Sequence, residues 1–146
     1  MLEKEKKELH YQWFEEFNAI KGDLSKLNAW ADKTFAPGIT FHSPSYGDMN
    51  FEQVKQFYTG LVSAFNPIVT VKHIIIEGDM VVAHFNWSGT HQGMFMDIPA
   101  TGKKVDVGMV LIVKMSGGKS EEVWSYQDAI GLMRQIGAIP GPFLTK

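Results

Sequence analysis

The chain has 146 residues, a formal charge of -2 and no cysteine. That is the size of one compact domain, expected over residues 1–146 and burying roughly 68–70% of its unfolded surface, with no disulfide, thiol nucleophile or cysteine-based zinc site. The 14 Lys and Arg are scattered, so no basic stripe marks a nucleic-acid partner, and the mixed-charge start with no long apolar run predicts a cytoplasmic protein without membrane attachment.

In chain order, Leu9, Trp13, Phe17 and Ile20 recur at helical spacing and Gly22 closes the segment, which predicts an amphipathic helix over about residues 4–20. Asp23 is positioned to cap a second, shorter helix carrying Leu24 and Leu27. A short extended piece, Ile39-Thr40-Phe41-His42, comes next. Asn50 with Gln53 three residues on reads as a capping box, and Val54, Phe57, Leu61 and Phe65 form the buried stripe of a third helix that Pro67 ends.

From Ile68 the pattern changes to β-branched runs: 68–77, 80–90, 105–115 and 121–128. Glu77-Gly78-Asp79 and Ser116-Gly117-Gly118-Lys119 are short enough for hairpin turns, so the sheet is mostly antiparallel. Helices followed by hairpins predict an α+β fold, three N-terminal helices on one face of a strongly curved sheet. The connection 92–104 carries Met94, Phe95, Met96 and Ile98, apolar side chains suited to a lid or a subunit contact.

Trp124, Tyr126 and Asp128 share one face of the last strand, an aromatic wall ending in a carboxylate. Two readings stay open. Moved out of water, that carboxylate becomes a proton carrier for carbon acids; otherwise it caps the helix that comes after it. His42, His84 and His91 match no zinc spacing, and no metal site is expected. No nucleophile elbow or phosphate-cradling loop occurs. Trp87, Trp124 and Tyr126 are candidates to line an apolar pocket, with other aromatics serving either pocket or core.

Gly89-Thr90-His91, Gly93 and Phe95, Thr101-Gly102-Lys103, Gly118-Lys119 with Glu122, Trp124 with Asp128, and Gln135-Ile136-Gly137-Ala138 stand in the order seen in one family. Gly22-Asp23-Leu24 and Phe41-His42-Ser43-Pro44 agree with it. Over about residues 8–139 the chain resembles SnoaL-like proteins, the polyketide or ester cyclase group of the nuclear transport factor two-like superfamily. The resemblance implies a cone-shaped α+β barrel, an apolar pocket for a hydrophobic small molecule, no cofactor, and a homodimer formed through the sheet. It also implies cyclase or isomerase chemistry of the intramolecular aldol type on a small apolar carbonyl compound. Asp128 then matches the general acid/base and His91 a partner in catalysis, while His42, Phe41, Tyr58, Trp87, Phe95, Trp124 and Tyr126 are substrate-binding candidates. The alternative is a non-catalytic binding protein using the same pocket. The penultimate strand, Gly108 to Val113, departs from the pattern by offering no histidine.

Overall fold

Charged and apolar residues alternating with helical period give α1 (Glu3–Asn18) in the computed structural model, which describes residues 1–141. Residues 142–146 lie outside the described part. Trp13 and Phe17 of α1 are buried, as its stripe requires. The Asp23 side chain accepts the backbone N–H groups of Ser25 and Lys26, starting α2 (Leu24–Thr34). The chain then extends as β1 (Phe35–His42), longer at its front than the sequence suggested.

Asn50 and Gln53 form the expected reciprocal capping box at the start of α3 (Phe51–Phe65). Asn66 takes a left-handed conformation and closes that helix with its N–H on the Val62 carbonyl. Strands β2 (Ile68–Glu77), β3 (Met80–Thr90), β4 (Lys104–Ser116) and β5 (Lys119–Gln127) come next, joined as antiparallel hairpins. The β4–β5 turn uses Gly117 and Gly118, both at positive φ, the geometry that matches strand twist in a two-residue hairpin. A short helix, α4 (Ala129–Gln135), ends the described chain.

The strand order is β1-β5-β4-β3-β2, with β1 parallel to β5 and every other pair antiparallel. The α+β class and curved, mostly antiparallel sheet agree with the sequence. So does the cone, though its sheet is not closed: β1 and β2 are the outer strands and do not pair with each other, and Met49 bridges the outer side of β1 at Phe41. Register shifts at Val71/His73 and Lys114/Met115 bend it. Helix α1 lies against β2 and α3 against β1, so the helices, rather than hydrogen bonds, complete the cone.

Alternate residues of each strand choose opposite sides. Val81, Ala83, Phe85 and Trp87 of β3, and Val123 and Ser125 of β5, are buried under the helices. On the outer face two cross-strand rows run through Ile75, Val82, Ile112 and Trp124, and through His73, His84, Val110 and Tyr126. The expected lid, residues 92–104, presses Phe95 inward on Phe65 while Met94 and Met96 point to solvent.

Candidate functional site

Between the helices and the concave face of the sheet lies a hollow of about 70 Å³. Helix α1 contributes His10, Trp13, Phe14 and Phe17; α2 adds Trp30 and Thr34; α3 adds Phe57, Tyr58 and Leu61. From the sheet come Phe85 and Trp87, then Met109, Leu111 and Val113, then Ser120, Val123 and Gln127. The parity is that of the core: β4 presents odd-numbered residues inward, as does β5 from Val123 on, Ser120 entering beyond the register shift at Lys114/Met115. The lining is almost entirely carbon, so an ionic ligand would lose its hydration without replacement.

The hollow runs along the strands. Gln127 pairs with Met109 and Val123 with Val113, four residues apart, a distance of about 13 Å at strand rise. The Gln127 end is polar: its side-chain amide donates to the Tyr46 hydroxyl, and Tyr46 packs on Phe57. On α1, Lys6 bonds the Gly78 carbonyl of the β2–β3 turn, His10 follows one helical turn further on, and the next turn sets Phe14 on Phe85. A dry cavity of roughly 150 Å³ holds benzene. The present hollow is smaller, so a six-carbon ligand enters as partly exposed Phe57, Met109 or Leu111 gives way, and its length along the strands suits a slender chain. A second depression, about 360 Å³ and lined by Phe65, Asn66, Ser88 and Gln92, is an open surface groove without the aromatic enclosure.

The hollow gathers two of the sequence candidates, Tyr58 and Trp87. Burial pushes the Tyr58 hydroxyl well above its ordinary value and keeps it a phenol. The others lie elsewhere. Phe41 is buried beside Phe35 and Tyr58, behind the lining. Phe95 packs on Phe65. His42 sits at the outer side, its Nε2 2.7 Å from Glu122 Oε2 and its ring stacked on Trp124. Its pKa is raised, chiefly by that Glu122 hydrogen bond, with Asp48 adding to it against partial desolvation.

Trp124 and Tyr126 do share a face of β5, but it is the one away from the hollow, and Asp128 lies past the strand as the N-cap of α4. Tyr126 is 51% exposed, while Val123 and Ser125 between them turn inward. Asp128 is exposed and its Oδ1 accepts the Gly131 N–H at 2.8 Å, so the dry carboxylate expected at the end of an aromatic wall is replaced by a helix cap. The cause is the neighbouring sheet: β5 lies between β1 and β4, and only one of its faces meets the helices.

His91 is fully buried and organises a loop. Its Nδ1 lies 2.9 Å from Thr101 Oγ1, its N–H donates to the Lys103 carbonyl, its carbonyl accepts from Gly102, and its ring stacks on Phe65. Just beyond it, the N–H groups of Gln92 and Gly93 both reach the Ala64 carbonyl in the last turn of α3. The segment from Gly89 to Gly93 thus closes the helix end, and a Cβ at Gly93 would come within 2.9 Å of the Ser63 carbonyl oxygen.

The sequence profile of SnoaL-like polyketide cyclases matches residues 8–136. The chain belongs to the SnoaL-like family. Solved structures similar to this SnoaL-like chain include AclR from Streptomyces galilaeus, described as a "putative hydroxylase", with 26% identity, 93% of this chain and 98% of AclR covered, and a TM-score of 0.78. TsrD from Streptomyces laurentii shares 27% identity over 90% of this chain and 96% of its own, at 0.72. A "putative SnoaL-like polyketide cyclase" from Jannaschia sp. CCS1 shares 28% over 92% and 93%, at 0.75. No curated protein matches. The different reactions attached to these relatives fit one SnoaL-like frame supporting several chemistries.

His10, Phe14 and Gln127 are lining residues that sequence reading passed over. A signal for His10 existed: with Trp13 and Phe17 it continues the apolar stripe of α1 at i, i+3 and i+7.

Proposed function

We propose that this SnoaL-like protein binds a slender, largely apolar carbonyl compound in the hollow between its helices and sheet. The observation that carries the reading is the lining itself, aromatic and aliphatic over nearly all its surface with only a few polar groups among them. No step in binding calls for a cofactor. Native mass spectrometry of protein purified from its own source is expected to show a retained small molecule. Leu111→Trp, which fills the hollow from the middle of β4, is expected to release it and to weaken binding of an n-hexane probe about tenfold or more. An unchanged n-hexane affinity in that variant would place binding elsewhere.

A second reading adds proton transfer beside the carbonyl, the aldol-type chemistry of the family name. What bears on it is that Asp128 directly follows the lining residue Gln127 in the chain, while its carboxylate caps α4. Asn caps helices as well as Asp does, so Asp128→Asn is expected to keep the fold and the n-hexane affinity. On any carbonyl ligand the protein converts, a fall in turnover of about a hundredfold or more assigns Asp128 the acid/base role; unchanged turnover removes it from the chemistry and leaves binding alone.

The outer sheet face is proposed as the seat of a homodimer. Its central rows, with Val82 and Ile112 between Ile75 and Trp124 and with Val110 beside Tyr126, carry no helix among the described residues, and an uncovered apolar face of this kind favours association. Sedimentation is expected to give a dimer for the wild type and a monomer for Ile112→Lys; a monomeric wild type would refute it.

A further inference from the structure

Among the described residues, the buried side-chain polar atoms without a partner are His10 Nε2, Trp13 Nε1, Trp87 Nε1 and His91 Nε2. Folded proteins leave few such atoms, and each calls for an explanation. Three of the four belong to side chains that line the hollow. His10 is 3% exposed and Trp13 5%.

His10 Nδ1 lies 2.8 Å from the Lys6 carbonyl oxygen. A carbonyl only accepts, so Nδ1 carries the proton and the neutral ring presents a bare lone pair at Nε2. Burial pushes the His10 pKa down, opposed in part by the Lys6 hydrogen bond, which keeps the ring neutral near neutral pH. Trp13 stands beside it with ring centroids 4.8 Å apart, and its indole N–H can only donate. Trp30 shows the contrast: its own indole N–H is satisfied by the Trp13 carbonyl at 2.9 Å. One acceptor and one donor are thus left on neighbouring rings that both line the apolar hollow. A single hydroxyl answers both, donating its proton to the lone pair and accepting the N–H through its oxygen.

We infer that His10 and Trp13 form a hydroxyl-recognising anchor, so that the ligand of the hollow is a slender apolar molecule ending in an alcohol, enol or phenol. The inference rests on the binding reading above and deepens it. A ketone oxygen would satisfy Trp13 and leave His10 bare, and a carboxylate would bring a charge with no cation to meet it. With the hydroxyl held by His10 and Trp13, the rest of the ligand lies along the apolar lining, where the Gln127 amide is available to its carbonyl. The ligand class is a hydroxy-carbonyl compound with its two oxygens separated by an apolar stretch.

The test compares 1-pentanol with n-hexane, the same chain with a methyl in place of the hydroxyl. The readout is the tryptophan indole N–H resonances, that of Trp13 being assigned with Trp13→Phe. Wild-type protein is expected to bind 1-pentanol about tenfold more tightly than n-hexane and to shift the Trp13 N–H downfield with the alcohol alone. His10→Phe is expected to abolish both the preference and the shift. If n-hexane binds and 1-pentanol binds no more tightly, the anchor is overturned and the hollow stands. If neither probe enters, the binding reading itself fails and the anchor with it. Should His10→Phe not fold, the wild-type preference and the Trp13 shift decide the matter on their own.

Discussion

Gly89→Ala is expected to destabilise the protein by about 3 kcal/mol, read as a lower denaturant midpoint and a melting temperature lower by about 10 °C. Gly89 lies in β3 opposite Val105, where the strand passes against the end of α3. A Cβ built there overlaps the carbonyl oxygen of Phe65, with the Phe65 carbonyl carbon at 3.2 Å and its Cβ at 3.3 Å. The obstacle is backbone, so no rotamer change relieves it; either the strand or the helix end must move. Moving either disturbs the hydrogen bonds by which Gln92 and Gly93 close α3. Gly108→Ala is the control. Its Cβ would meet nothing nearer than Asn86 Oδ1 at 4.0 Å, so that substitution is expected to be neutral or stabilising by up to about 1 kcal/mol. Equal losses at the two positions would show that glycine flexibility, and not close approach, explains Gly89.

Phe65→Ala is expected to cost about 4 kcal/mol in the same assay. Phe65 is fully buried at the C-terminal end of α3, and its ring packs at 5.1 Å on Trp87, 5.2 Å on His91 and 5.1 Å on Phe95. Truncation removes these aromatic contacts together and leaves a void that β3 and the 92–104 loop cannot both collapse into. Phe65→Ala is not expected to rescue Gly89→Ala, because alanine keeps both the Cβ and the carbonyl that crowd position 89. A loss below about 1 kcal/mol would mean that the loop repacks freely and that His91 holds no fixed place.

Much of this architecture is legible in local chemistry. Asn50 and Gln53 mark the start of α3, Asp23 that of α2, and the glycines at 117 and 118 mark a hairpin, because caps and turns depend on residues a few positions apart. Asp128 was readable as a cap on the same grounds, and it is one. The Gly89-Thr90-His91 motif was readable as a family mark, but its physical purpose emerges only where β3 meets α3: glycine for close approach, histidine for fastening Thr101 and Phe65.

By itself the sequence determined the element order, the capping residues, the antiparallel hairpins and the fact that Trp124 and Tyr126 face one way. Tertiary structure alone decided which way that is. Period-two alternation divides a strand into two sets without saying which meets the helices, and in β5 the outward set, Trp124 and Tyr126, is the more aromatic one while Val123 and Ser125 are buried. The same holds for His10. Its helical stripe is plain in the chain, but only the packing of α1 across the sheet brings its bare nitrogen beside Trp13 in the lining of a hollow, since the burial of a polar atom is set by neighbours far away in sequence.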